Sequence, residues 1–483
     1  MEISPRQQLE QKLNAIEAQL AISPKVIDLQ FERASVLITL GQIEQGKQAY
    51  IEILLQDPTH FATLNNLAIL LEETNYRSAA RALYNQAVTH HPNNPLGHVN
   101  FGNLLLYAGD YTEAREQYET AVTLDPDNMH AHRGLSLLFQ EIGEEDKMQY
   151  HRIKGYRHQP VTAFPYVGKA EAIPLLLLTS TMGGGDLPWR RLIDNNVFQV
   201  TAITAEFYNP SEPLPPHKLV FNAIGDADTC QSDLKAAEAL IQHTTAPVIN
   251  SPLAVLTTGR TDNADRLGTL PGVVTPRHAI LTPEMLENKE AIETLLTQNG
   301  LNYPLLLRSP GFHTGKHFVR VDHLDGLISA ALTLPRKWLM VLEYLDSRGV
   351  DGFARKYRVM TIDGKLYPLH LAVSADWKVH YFTSEMTNNA VHQAEEAEFL
   401  NDMQKVLGEK VMTALYAIQD ALGLDYGGVD FGIKDTGDLL LFEANATMNI
   451  IPPDADPQWN YRRPAIFNAL SATHNLLLSR AGQ

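Results

Sequence analysis

With 483 residues, the chain has room for two to four domains that each bury a core of their own. Its composition is 44% hydrophobic and 20% charged with a formal net charge of −17, so its surface would not steer it to nucleic acid or anionic membrane, and any anionic ligand needs a local basic pocket. The single cysteine, Cys230, excludes an intrachain disulfide framework and fits a reducing compartment. The opening MEISPRQQLEQKL lacks an apolar signal core, and no apolar run reaches the roughly 18 residues of a membrane span. A cytoplasmic location is expected.

Residues 6–22 read as a leading helix, after which the sequence repeats every 34 residues. Leu64, Leu67, Ala68, Leu71, Ala80, Tyr84, Ala87 and Pro92 return as His98, Phe101, Gly102, Leu105, Ala114, Tyr118, Ala121 and Pro126. An earlier, weaker copy holds Ala34, Leu37, Tyr50, Ile53 and Pro58, and a fourth starts near Met129 and then loses the pattern. The period and the small/large alternation resemble the tetratricopeptide repeat (TPR). That resemblance implies an all-α solenoid over 1–158, with repeats near 27–60, 61–94 and 95–128 and a degenerate cap at 129–158. Its concave face is expected to carry Asn65, Asn66, His98, Asn100, Asn103, His132 and Arg133. Such a groove suits a peptide or protein partner; self-association into a homodimer, or burial of the groove against another domain, are the alternatives.

Residues 159–172, rich in proline, glycine and aromatics, read as a linker. From 173 to 275 short apolar strands at 173–179, 199–203, 219–222 and 248–249 alternate with helices expected at 187–195 and 229–243. This is the pattern of a small α/β domain with a parallel sheet. Met182-Gly183-Gly184-Gly185-Asp186 closes the first strand with glycines that let a ligand approach the backbone, but their spacing is not that of a dinucleotide fingerprint.

The remainder, 276–483, reads as α+β. Strands are expected at Leu305–Arg308, Trp338–Leu342 and Lys356–Met360, the last turning at Asp363-Gly364. His370, Trp377 and His380 are expected on one sheet face. Tyr426–Ile433 and Leu439–Phe442 form a hairpin about Lys434–Asp438. Pairing across that hairpin sets Asp430 beside Glu443 and Asn445, whose spacing of two puts them on one face. Two carboxylates and an amide oxygen make an all-oxygen nest suited to Mg²⁺, which completes its shell with water and phosphate. A hairpin with a merely polar outer face is the plain alternative.

The order of these pieces, from an α/β pre-domain through Asn250-Ser251-Pro252, Arg260, the segment LGTLPGVVTPR, the strand ending at Arg308 with its glycine loop, and Glu343-Tyr344-Leu345 to the Asp…Glu-x-Asn hairpin, resembles the ATP-grasp proteins. The likeness covers about 173–475 and is strongest to the D-alanine–D-alanine ligase, glutathione synthetase and ribosomal-protein glutamate ligase branch. It implies ATP and Mg²⁺ as cofactors, with Asp430, Glu443 and Asn445 holding the metal. Arg260 and Arg308 stand where the family usually has lysine, and a guanidinium there pairs with phosphate oxygens while amides around Gly311 and Gly315 fold over them. His313 and Lys316 share that loop. Main chain near Glu343 and Leu345 is implied to hold adenine, and Asp351 is the candidate for the ribose. Arg358 matches the family's strand arginine and, with Lys356 and Lys378, forms a basic pocket for an acyl phosphate, so Arg358 and Lys378 are the candidate catalytic cations. One departure stands out, because Gly428 occupies the position where D-alanine ligases carry an oxyanion arginine. The implied activity is a Mg-ATP-dependent carboxylate–amine ligase. A phosphotransferase on the same fold, and a TPR adaptor that only senses ATP, remain open beside it, and the identities of carboxylate and amine lie beyond the sequence.

Overall fold

The computed structural model describes residues 5–312, 315–335, 338–379, 384–387, 389–453 and 456–482. His313 and His380 lie outside the described residues. The chain divides into two compact units, Met1–His158 and Gln159–Gln483. No helix among the described residues is long and apolar enough to cross a membrane.

The first unit is all helix: α1 (Pro5–Ile22), α2 (Ile27–Thr39), α3 (Ile43–Gln56), α4 (Phe61–Glu73), α5 (Arg77–His90), α6 (Pro95–Ala108), α7 (Tyr111–Leu124), α8 (Met129–Ile142) and α9 (Glu145–Tyr156). The first helices of successive pairs start at Ile27, Phe61, Pro95 and Met129, one every 34 residues. Small residues let the helices approach. Ala68, Ala80 and Ala114 are fully buried, and a Cβ on Gly102 or Gly134 would lie 2.8 or 2.2 Å from the Tyr118 ring. Side-chain caps begin three of the four first helices: His60 accepts from the Thr63 amide, Asn94 from Leu96 and Asn128 from Ala131. The segment expected as a degenerate cap is a complete helix pair, α8 and α9, because Gly134, Leu135 and Phe139 still supply its buried face.

The groove expectation needs correcting at both histidines. His98 and His132 are buried, and their Nε2 atoms donate to the carbonyls of Pro92 and Pro126 (2.9 and 3.0 Å). Standing 34 residues apart and reaching prolines also 34 apart, they brace the entry to each repeat. The asparagines likewise have partners within the unit. Asn100 Nδ2 donates to Asn65 Oδ1 (2.7 Å), and Tyr118 donates to Asn103 Oδ1 (2.7 Å). Arg133 Nε donates to the Gly155 carbonyl and its guanidinium lies over Tyr156.

The second unit carries three sheets. Strands β1 (Val161–Ala163), β2 (Ile173–Thr179), β3 (Phe198–Thr204), β4 (Leu219–Asn222) and β5 (Val248–Ile249) form one in the order β1-β3-β2-β4-β5, parallel except for β1. The stretch expected as a linker therefore gives this sheet its edge strand. The helix expected at 187–195 is only a 3₁₀ turn, Trp189–Arg191, because the Leu187 amide is drawn to the Ala223 carbonyl (2.8 Å) and Asp194 caps the Asn196 amide instead of continuing a helix. The helix expected at 229–243 is found at Gln231–Ile241.

Next come β6 (Val273–Val274), β7 (His278–Leu281), β8 (Leu305–Arg308), β9 (Phe318–Val321), β10 (Leu339–Glu343), β11 (Ala354–Ile362), β12 (Lys365–Ser374), β13 (Tyr426–Ile433) and β14 (Leu439–Asn445). β7-β10-β8-β9 is an antiparallel sheet over its own core, whose largest members are Leu and Ile residues such as Leu305, Leu307 and Ile292. β12-β11-β13-β14-β6 is antiparallel apart from β6, and its two faces share apolar cores with the first sheet. Asn250, at φ 57°, stitches these two sheets together. Its side chain receives the Tyr426 amide (3.0 Å) and donates to the Tyr426 carbonyl (2.8 Å), while its own amide reaches Asp425 (3.1 Å).

Gly134→Ala tests the packing of the repeat. The helix gains propensity worth about 1 kcal/mol, but the buried Tyr118 ring has nowhere to retreat. Overpacking of this kind typically costs about 1–3 kcal/mol. A lowered thermal midpoint of the helical signal in circular dichroism is expected, and an unchanged or raised midpoint contradicts the account.

Candidate functional site

A cavity of about 490 Å³ lies in the second unit, walled by residues of the β7-β10-β8-β9 and β12-β11-β13-β14-β6 sheets and of the loop that follows β2. Of the residues singled out in the sequence, Arg260, Arg308, Gly315, Glu343, Leu345, Arg358, Lys378, Asp430, Glu443 and Asn445 all reach its wall, as do Lys356, His370 and Trp377. Residues separated by as much as the distance from Asp186 to Ile466 in sequence meet there.

The floor is the β13–β14 hairpin. Asp430 and Glu443 are register partners, with a bulge just beyond Asp430, and Asn445 lies opposite Gly428. Asp430 is almost wholly buried and takes a two-pronged contact from Arg358, Nε to Oδ1 at 2.6 Å and Nη2 to Oδ2 at 2.8 Å, with Lys356 Nζ 3.1 Å from Oδ2. Burial alone would raise the Asp430 pKa; the charges of Arg358 and Lys356 override it and hold the carboxyl well below the usual range. Glu443 Oε1 receives Arg260 Nη2 at 2.5 Å and Asn445 Nδ2 at 2.9 Å. Arg260 also pairs with Asp228, so one guanidinium bridges the loop after β4 to strand β14. Asn263, one turn along the same Arg260–Leu267 helix, donates to the Ala444 carbonyl (2.6 Å) and fixes that helix to the hairpin.

The other cations are placed differently. Arg308 Nη2 donates to the Phe312 carbonyl (2.6 Å), its Nε is buried without a hydrogen-bond partner among the described residues, and its guanidinium lies 5.4 Å over the Phe318 ring. Burial, helped by the charge of Arg260, lowers its pKa to about 10. Lys378 Nζ donates to the Phe318 carbonyl (3.1 Å), and its pKa too is lowered by burial. A Cβ on Gly315 would sit 2.6 Å from Lys378 Cε, so the glycine is what lets this lysine cross the loop. Among the described residues neither cation has a carboxylate hydrogen-bonded to it or ion-paired with it. Half-buried positive charge of this kind is costly without an anion.

At the end of β10 the Glu343 side chain is taken by Arg277 (2.6 and 2.9 Å), and its amide donates to the Arg277 carbonyl (2.8 Å). Main chain at Tyr344 and Leu345 borders the cavity beside Leu306, Phe318 and Trp377, whose rings meet edge to face at 5.6 Å. Two expectations need correction. Asp351 is off the cavity wall and is claimed by Arg355 (2.7 and 3.0 Å), which lowers its pKa to about 2. Gly311, at φ 80°, is buried behind the loop and not on the wall. Lys316 is also absent from the wall, its ammonium lying over Phe312. His370, the cross-strand partner of Arg358, is kept neutral by burial first and by the Arg358 charge second.

The departure at Gly428 has a steric cause. A Cβ there would meet Met448 at 2.7 Å and Met360 Sδ at 3.1 Å, so no side chain, arginine included, fits. The sequence reading missed Asp228, Asn263 and Asn449. A lone acid or amide, whether on a loop like Asp228 or on a short helix like Asn263, carries no periodic signal, and only the folded site marks it.

The donor set of Asp430, Glu443 and Asn445 fits a hard divalent cation. All three carry oxygens at neighbouring positions of one hairpin, and three protein ligands leave room for ligand oxygens and water. In this structure those oxygens are engaged within the chain, Asp430 by Arg358 and Lys356, Glu443 Oε1 by Arg260, and Asn445 Oδ1 by the Thr447 amide (3.0 Å) and hydroxyl (2.9 Å), so a cation would displace these partners.

Residues 102–143 match the family model described as a TPR repeat. No curated protein matches the chain. Among solved structures, MamA from Desulfovibrio magneticus RS-1, residues 41 to the end, is similar at 16% identity, over 30% of this chain and 81% of that one, with a TM-score of 0.27. A tetratricopeptide repeat protein from Parabacteroides merdae is similar at 17% identity over 30% and 57%, TM-score 0.28. A further MamA crystal structure gives 14% identity over 32% and 94%, TM-score 0.28. The helical unit thus holds a TPR repeat, a module that generally binds protein or peptide partners.

Asp430→Asn tests the floor. It leaves the Arg358 and Lys356 charges buried and unpaired, and breaking such a pair typically costs about 3–5 kcal/mol. Because the folded carboxyl titrates below its unfolded value of about 3.9, the stabilisation is complete above that value and fades as pH falls through and below it. Denaturant unfolding is expected to separate wild type from Asp430→Asn widely at pH 7 and to narrow the gap steadily as the pH is lowered below about 3.9. A gap that stays constant with pH contradicts the assignment.

Proposed function

We propose that the second unit is an ATP-grasp ligase that uses Mg-ATP to join a carboxylate to an amine, and that the TPR unit recruits a protein or peptide partner or substrate. The observation that carries this reading is the pair of partly buried cations, Arg308 and Lys378, on the wall of the same cavity as the Asp430–Glu443–Asn445 face. An acidic protein has concentrated positive charge where a triphosphate would lie. The adenine would occupy the slot by Leu306, Leu345, Phe318 and Trp377.

In this reading Asp430, Glu443 and Asn445 would hold Mg²⁺, which supplies charge neutralisation to the phosphates when bound. Arg308 and Lys378 bind and orient the triphosphate. Carboxylate oxygen attacks the γ-phosphorus and ADP leaves; the amine then attacks the acyl carbon, phosphate leaves, and the nitrogen gives up a proton. Negative charge gathers at the acyl carbon in the second step. Arg358, on the strand beside Asp430, would face it by turning from its two-pronged contact with that carboxylate, in the absence of any side chain at Gly428.

A second reading rests on that same glycine. Without an arginine at position 428, chemistry that ends at phosphoryl transfer needs less of this site. Mass spectrometry of the product separates the two, since a condensed product supports the ligase and a phosphorylated hydroxyl supports the transferase.

Arg308→Ala is expected to raise the KM for ATP by about tenfold to a hundredfold, the worth of a charged hydrogen bond, with Arg308→Lys recovering much of the loss. Its unfolding midpoint should not fall, because among the described residues the side chain donates to one carbonyl, that of Phe312. Amine-dependent ADP release by the full chain is the direct assay, and ATP binding without ADP from any carboxylate and amine pool argues against the ligase.

A further inference from the structure

Opposite the phosphate-facing cations, the cavity has a wall of another character. It is built from the loop after β2, the segment following β14, and side chains of β12 and the Arg463–Arg480 helix. Pro188, Leu369, Met448, Ile451 and Ile466 make it apolar, and among the described wall residues of these segments there is no lysine or arginine. The polar exceptions are Thr447, His370, which burial keeps neutral, Asp186 and Asn449. Asp186 accepts the Ser180 amide (2.8 Å), and burial raises its pKa to about 8, so at neutral pH it is mostly protonated. Asn449 borders the cavity with a buried Oδ1 that has no hydrogen-bond partner among the described residues. A buried carbonyl oxygen without a donor is unfavourable, and a ligand N–H entering the cavity would satisfy it.

We propose, resting on the ligase reading, that this wall receives the amine substrate, that the amine carries an aliphatic body, and that the Asn449 side chain selects it by accepting its N–H. An acidic body finds no cation on the wall to offset its desolvation. A second ammonium finds only a largely neutral Asp186. An aliphatic group instead displaces water from Leu369, Ile451 and Ile466. Asn449 is thereby a specificity-determining residue, four positions beyond Asn445.

The test is binding to the full chain in the presence of Mg²⁺ and a non-hydrolysable ATP analogue, followed by calorimetry or ligand-observed NMR. Isoamylamine and leucine are compared with glutamate and lysine. The aliphatic pair is expected to bind at least about tenfold more tightly. Asn449→Ala should weaken them about tenfold while the affinity for the analogue alone stays as in wild type, and Ile451→Glu should erase the preference for the aliphatic pair. Glutamate or lysine binding as tightly as leucine, no binding by any of the four, or leucine binding unaltered in Asn449→Ala overturns the assignment. Aliphatic amines that bind but give no ADP with ATP and any carboxylate overturn the ligase reading and leave the wall's assignment standing. ADP formation with glutamate as the preferred amine does the reverse.

Discussion

Asp430 and Glu443 face each other across one hairpin, and each is held by a guanidinium from a different part of the chain. Arg358 arrives from the neighbouring strand β11, and Arg260 from a helix more than a hundred residues earlier that also pairs with Asp228. Two carboxylates placed this close would repel and would resist burial; the cations make the arrangement tolerable. Around that balance the second unit is assembled. β11, β13 and β14 pair in the register it needs, the Arg260–Leu267 helix is tied down through Asn263, and the parallel sheet is stitched on through Asn250.

Buried ion pairs are weak sources of net stability, since a well-packed apolar core of the same volume does as well. Their retention here is better understood through what they keep apart from the apolar cores on either face of the sheet. The hairpin places acids and their cations at the cavity and places Val429 and Phe431 in the core below. On β13 the charged Asp430 and its apolar neighbours alternate, which is the period-two logic of a sheet used for two purposes. Arg308 and Lys378 break the balance. Among the described residues they bring positive charge to the wall held by hydrogen bonds to carbonyls, without a carboxylate in direct contact.

The helical unit follows a simpler rule. The second helices α3, α5 and α7 each bury a tyrosine and an alanine, and the Tyr118 ring between Gly102 and Gly134 shows how little space is left over. The same economy explains His98 and His132. Read as groove residues because they are polar and repeat, they are braces, since a buried ring nitrogen next to a proline carbonyl is satisfied locally and has no need of a partner.

What the sequence by itself determined was whatever is periodic or adjacent. The 34-residue repeat, the strands from Ile173 to Ile249, the hairpin about Gly437 and the grouping of Asp430 with Glu443 and Asn445 could all be read, because side-chain alternation and turn chemistry act over a few residues. Only the tertiary structure decided which cation meets which acid. Arg260 is committed to Asp228 and Glu443, Arg358 to Asp430, Asp351 to Arg355, while Arg308 and Lys378 are left with carbonyls. Charge pairing acts through space between segments that have no fixed separation in sequence, and so does the packing of Met448 that leaves Gly428 no room for a side chain. Those facts come into being when the sheets close on one another, and no local pattern carries them.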